Sequence, residues 1–138
     1  MKETVLVVPC SGIGKMFGSV SREAALMVVE ELRPSATEIM CLGLLVTGDA
    51  DARAQVIGRP TVTVDGCPQL CARKNVELAG GCVGSSIMVV DVYRQHSELK
   101  SQAVTFLDEK GRELAGWVAQ SVVKAVDEAQ GGGQEHNA

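Results

Sequence analysis

Hydrophobic and polar positions fall along this chain in short blocks with two different periods. Four apolar runs rich in Val, Ile and Thr, at 4–9, 37–42, 61–64 and 86–92, are short and β-branched, as strands are. Between the first two, Ala25, Leu26, Val29 and Leu32 recur on one helical face. Ser19 or Ser21 is placed to cap that helix and Pro34 to end it. A second helix is expected near 49–57, with Gly43, Gly48 and Gly58 blurring its limits. The pair Cys67-Pro68 opens a third and Gly80-Gly81 closes it. A last amphipathic helix over 113–129 aligns Leu114, Trp117, Val118, Val122, Ala125 and Val126.

Strands alternating with helices imply parallel βαβ units with right-handed crossovers and helices on both faces of the sheet. The runs VLVV at 5–8 and IMVV at 87–90 have no polar face, which suits strands covered on both sides. The expected fold is a three-layer α/β sandwich, Rossmann-like, around a mostly parallel sheet of four to five strands. One domain over 1–130 suits a chain of 138 residues, and the Gly-rich polar stretch 131–138, with His136, reads as a disordered, solvent-exposed tail.

Composition narrows the function. Aromatics are 3% of the chain, too few for base-stacking platforms, and 17 acidic against 13 basic residues is the wrong balance for gripping phosphates, so nucleic acid is not expected. The first apolar run is too short for a secretory leader and no stretch approaches a membrane span, so a cytoplasmic location is expected. There, five cysteines read as metal-binding or reactive rather than as disulfides.

Four of the five stand where strands end. Cys10 closes the first, Cys41 the second, and Cys67 and Cys71 follow the third. Ligand sites in open α/β sheets lie beyond these ends, where adjacent strands roughly 5 Å apart bring sulfurs within reach of one ion about 2.3 Å from each. Four thiolates suit zinc or an iron–sulfur cluster. Cys82 precedes the fourth strand, so the topology places it on the opposite rim.

The segments Pro9-Cys10-Ser11-Gly12-Ile13-Gly14-Lys15, Gly18-Ser19-Val20-Ser21-Arg22, Cys41-Leu42 and Asp65-Gly66-Cys67-Pro68 with Cys71 resemble those of the DGC-domain family, named for its central Asp-Gly-Cys. The resemblance runs from Val5 to about Val92. It implies zinc held by Cys10, Cys41, Cys67 and Cys71, and it supplies no substrate.

Other chemistry is weaker in the sequence. Ser11, Gly12, Gly14 and Lys15 form a strand-to-helix loop able to border a small anionic ligand, although neither the Walker pattern nor GxGxxG is met, position 17 being Phe. A nucleophilic Cys10 of the low-molecular-weight phosphatase type would need Arg where Met16 stands. Thiol redox or sulfur transfer, with Cys67 and Cys71 as a pair, is the enzymatic alternative, and a metal- or metalloid-handling carrier is the other. Asp65 is expected to hydrogen-bond around the site or cap a helix, Arg73 and Lys74 to be solvated, and His96 to be a remote candidate for a fifth ligand.

Overall fold

The computed structural model describes residues 3–131, and the expected tail lies, apart from Gly131, outside the described residues. Four strands form one parallel sheet in the order β2-β1-β3-β4, with β1 at Val5–Pro9, β2 at Thr37–Ile39, β3 at Thr61–Asp65 and β4 at Val83–Met88. Leu6 pairs with Thr61 on one side of β1 and with Glu38 on the other, so β1 and β3 are the central strands. Six α-helices complete the fold among the described residues: α1 (Met16–Met27), which a π-helical turn continues over Val28–Leu32, α2 (Leu42–Val46), α3 (Ala50–Gly58), α4 (Cys71–Leu78), α5 (Val89–Gln95) and α6 (Glu109–Ala129).

Alternation along the central strands divides the core into two layers. Val5, Val7, Val62 and Val64 face α1 and α6, where Val20, Ala24, Leu114, Val118 and Val122 meet them. Leu6 and Val8 face the other way, toward Leu45 of α2, Val56 of α3, and Ala72 and Val76 of α4. The result is a three-layer, Rossmann-like α/β sandwich. No helix among the described residues is long and apolar enough to cross a membrane.

Several boundaries differ from those the sequence suggests. The run 86–92 is not one strand: pairing with β3 ends at Asp65 opposite Met88, and Val89 begins α5. Val89, Val92 and Tyr93 recur at helical spacing and pack against the α1–α6 core, so tertiary contact overrides β-propensity there. β4 instead begins at Val83 and includes polar Ser85 and Ser86; the register shifts by one residue at Gly84, as at a bulge in an edge strand. Helix α1 starts earlier than expected, at Met16. Ser19 and Ser21 are therefore buried inside it and cap nothing. Helix α4 starts later, at Cys71, because Pro68 lies in the preceding loop. Helix α2, which the glycines at 43 and 48 hide, is a short turn after β2. Helix α6 extends to Glu109, with Asp108 Oδ1 accepting from the Gly111 amide at 2.9 Å as its cap.

Candidate metal centre

The sheet order reverses between β1 and β3: the first crossover carries the chain from β1 to β2, and β3 then pairs on the other side of β1. Parallel α/β sheets bind ligands beyond the strand ends at such a point. Cys10 directly follows β1, and Gly66 and Cys67 directly follow β3. A cavity of about 580 Å³ opens here, and Cys10, Cys67 and Cys71 line it.

Cys41 stands on the same rim but outside this lining. It is the residue before α2, beyond β2, and β1 intervenes between β2 and β3. Two strand spacings, about 10 Å, separate the ends that carry Cys41 and Cys67. Helix α2 nevertheless packs on α4, so Cys41, which precedes α2, and Cys71, which begins α4, stand at the N-terminal ends of two helices in contact. Cys10 is half-buried, whereas Cys41, Cys67 and Cys71 are exposed. Among the described residues, no three His, Cys, Asp or Glu side chains stand close enough together to hold a metal ion as they lie. The donor set fits a thiophilic ion: three sulfurs share the lining with no carboxylate or imidazole among the described residues. Cys67 and Cys71 are exposed, so their side chains are not fixed by core packing.

The surroundings of Cys10 are more ordered. The Gly66 amide donates to Cys10 Sγ at 3.2 Å, and Ser21 Oγ lies 3.3 Å from the same sulfur. The Ser21 hydroxyl has one proton, given to the Gly18 carbonyl at 2.7 Å, so a neutral Cys10 donates to Ser21. A Cys10 thiolate would still accept from the Gly66 amide and, with no proton of its own to give, would accept from the Ser21 hydroxyl as well. Ser21 also accepts from the Ser11 amide at 3.2 Å, and Arg22 Nη1 donates to Ser11 Oγ at 3.0 Å. The segment Gly18 to Arg22 thus fastens the loop after β1 onto α1.

Close backbone approach makes this possible. A Cβ on Gly18 would fall 2.2 Å from the Gly12 carbonyl oxygen, and one on Gly66 would fall 2.9 Å from the Phe17 carbonyl carbon. Among the described residues, two other than glycine adopt left-handed conformations, Ser11 (φ 52°) and Leu70 (φ 55°). One directly follows Cys10 and the other directly precedes Cys71. Such conformations cost roughly 1–2 kcal/mol each and cluster at functional sites.

The four loop residues singled out in the sequence divide. Gly12 and Lys15 line the cavity; Ser11 is turned to Ser21 and Arg22, and Gly14 makes the exposed left-handed turn (φ 83°). The segment 42–48 is not part of the lining. Asp65 is buried and accepts from the amides of Ala72 (2.7 Å) and Arg73 (3.1 Å), capping α4 across the Gly66–Leu70 loop. Burial raises its pKa, and the two amide hydrogen bonds oppose that shift. His96 does not end a strand: it follows α5, and its ring stacks on Trp117 at 4.4 Å, outside the cavity lining. Trp117, placed by the helical stripe in the core, is 47% exposed beneath it. Cys82 directly precedes β4, at the opposite end of the parallel sheet. Arg73 pairs with Glu77 at 3.3 Å on the exposed face of α4.

Three contributors carry no mark in the sequence as parts of the site. Lys100, from the long connection before α6, reaches the cavity, as do Phe17 of α1 and Tyr93 of α5, whose rings meet at 5.1 Å. Long-range contact assembles them, and no local pattern signals it.

Residues 6–114 match the family model described as the DGC domain, and the chain belongs to that family. No curated protein and no solved structure matches the chain.

Proposed function

We propose that this DGC-domain protein binds one zinc ion through Cys10, Cys67 and Cys71, with Cys41 as the fourth ligand, at the carboxyl rim of the sheet. The observation that carries this reading is the convergence of three cysteines from two strand ends on one cavity whose lining, among the described residues, has no carboxylate or imidazole. Zinc, when bound, supplies a charge that keeps its ligands as thiolates, and four of them leave no position for a reacting water. The Gly66 amide then serves as a hydrogen-bond donor to the Cys10 sulfur, and Asp65, by capping α4, sets where Cys71 stands.

A second reading has its own observation. A half-buried sulfur that accepts a backbone N–H and neighbours a hydroxyl is also how a reactive thiolate is held, so thiol redox or sulfur transfer at Cys10 with Cys67 or Cys71 is the enzymatic alternative. Metal content and thiol titration separate the two. About one zinc per chain with the rim thiols protected supports the metal centre. Metal-free protein whose rim thiols cycle between dithiol and disulfide supports the thiol enzyme and overturns zinc. An absorbance band of iron–sulfur charge transfer would replace zinc by a cluster on the same ligands.

A further inference from the structure

The cavity is larger than a metal ion needs. A tetrahedral thiolate site extends only about 2.3 Å from ion to sulfur, whereas about 580 Å³ lies within the range of cavities that take whole small molecules. Its charged lining is of one sign, Lys15 and Lys100, with no carboxylate among the described residues. Met16, Phe17 and Tyr93 give the same lining large apolar side chains, and the Phe17 and Tyr93 rings meet at 5.1 Å. Two cations and two aromatic rings lining one cavity suit a molecule with an anionic head and a flat apolar body.

We propose that the cavity binds such an aromatic or otherwise planar organic anion, its charge between Lys15 and Lys100 and its body against Phe17 and Tyr93, within reach of the cysteine cluster. The proposal deepens the reading of this cavity as the functional site but does not depend on the metal. Lys15 comes from the loop after β1 and Lys100 from the connection before α6, so two segments 85 positions apart by residue number supply the same charge to one opening. Both lysines are exposed, and neither side chain holds up the core.

The probe is 8-anilinonaphthalene-1-sulfonate, a planar organic anion that fluoresces when sheltered from water; N-phenyl-1-naphthylamine, which has no charge, is the control. Wild-type protein is expected to bind the anion at one saturable site. Lys15→Gln with Lys100→Gln should weaken it about tenfold, leave the uncharged probe unchanged, and keep the wild-type melting temperature. Lys110→Gln, at a surface lysine outside the cavity, should change neither. The proposal is overturned if the double variant binds the anion as tightly as wild type, if both probes weaken equally, or if no saturable site exists. Zinc content measured on the same samples keeps the two readings apart: lost anion binding with zinc retained removes only the ligand, and retained anion binding without zinc removes only the metal.

Discussion

The amide of Gly66, the glycine of the Asp-Gly-Cys motif, donates to the sulfur of Cys10, 56 positions earlier, at 3.2 Å. The three motif residues thus act in physically separate ways. Asp65 caps α4, Gly66 brings its amide to Cys10, and Cys67 presents a third-strand sulfur to the same cavity. Gly66→Ala would place a Cβ 2.9 Å from the Phe17 carbonyl carbon and 3.0 Å from the Gly18 nitrogen, both unyielding backbone atoms. The variant is expected to lose about 1–3 kcal/mol in urea unfolding and, through the displaced amide, bound zinc as well.

Gly18 and Gly14 provide a matched contrast. A Cβ at Gly18 meets the Gly12 carbonyl oxygen at 2.2 Å, whereas a Cβ at Gly14 meets nothing within 4 Å and only the left-handed backbone opposes it. Gly14→Ala should cost about 1 kcal/mol. Gly18→Ala should cost clearly more and weaken ligand binding in the cavity. Equal melting temperatures for the two would show that the loop does not rest on α1.

Thr63 has a fully buried hydroxyl without a hydrogen-bond partner. Thr63→Val keeps the shape and β-branching of the side chain and removes that unsatisfied group. Stability is expected to rise by about 1 kcal/mol, read from denaturant midpoints, with zinc content unchanged. A loss of stability would mean that the hydroxyl has a partner in solution.

Burial raises the pKa of Asp65 above that of a carboxyl in the unfolded chain, so the folded protein holds this proton more tightly. The sign follows: this contribution to stability is complete below the unfolded pKa and is lost as pH rises through the folded one. Compared with Asp65→Asn, which does not titrate, the wild type should be relatively more stable near pH 4 than near pH 7. Asp65→Ala, which removes both amide contacts and likewise does not titrate, should cost about 1–2 kcal/mol near pH 7 and more near pH 4.

The layers and the rim are legible in the sequence because they rest on local signals. Doubly apolar runs such as VLVV declare a strand covered on both sides, and the carboxyl end of each such strand is then fixed by connectivity. Strand order is not legible, since nothing local to Cys41 says that β2 lies on the far side of β1 from β3. That order is why Cys41 stands outside a cavity shared by the other three. The run IMVVDV changes from strand to helix at Val89 because its apolar residues fit both periods, and packing of Val89 and Val92 in the α1–α6 core decides. Ser21 suggests a cap by its residue type, yet it reaches Cys10 and Ser11 from inside α1. Lys100 belongs to the cavity through the path of a loop that no periodicity describes.

X-ray absorption at the zinc edge tests the central claim most directly, on protein purified under reducing conditions without added metal. Four sulfur scatterers at about 2.3 Å are expected for wild type and for Cys82→Ser, with Cys41→Ser falling to three and Cys10→Ser or Cys67→Ser losing the metal. A zinc shell of nitrogen and oxygen, or a full sulfur shell that survives Cys10→Ser and Cys67→Ser but not Cys82→Ser, would contradict the metal centre at the carboxyl rim.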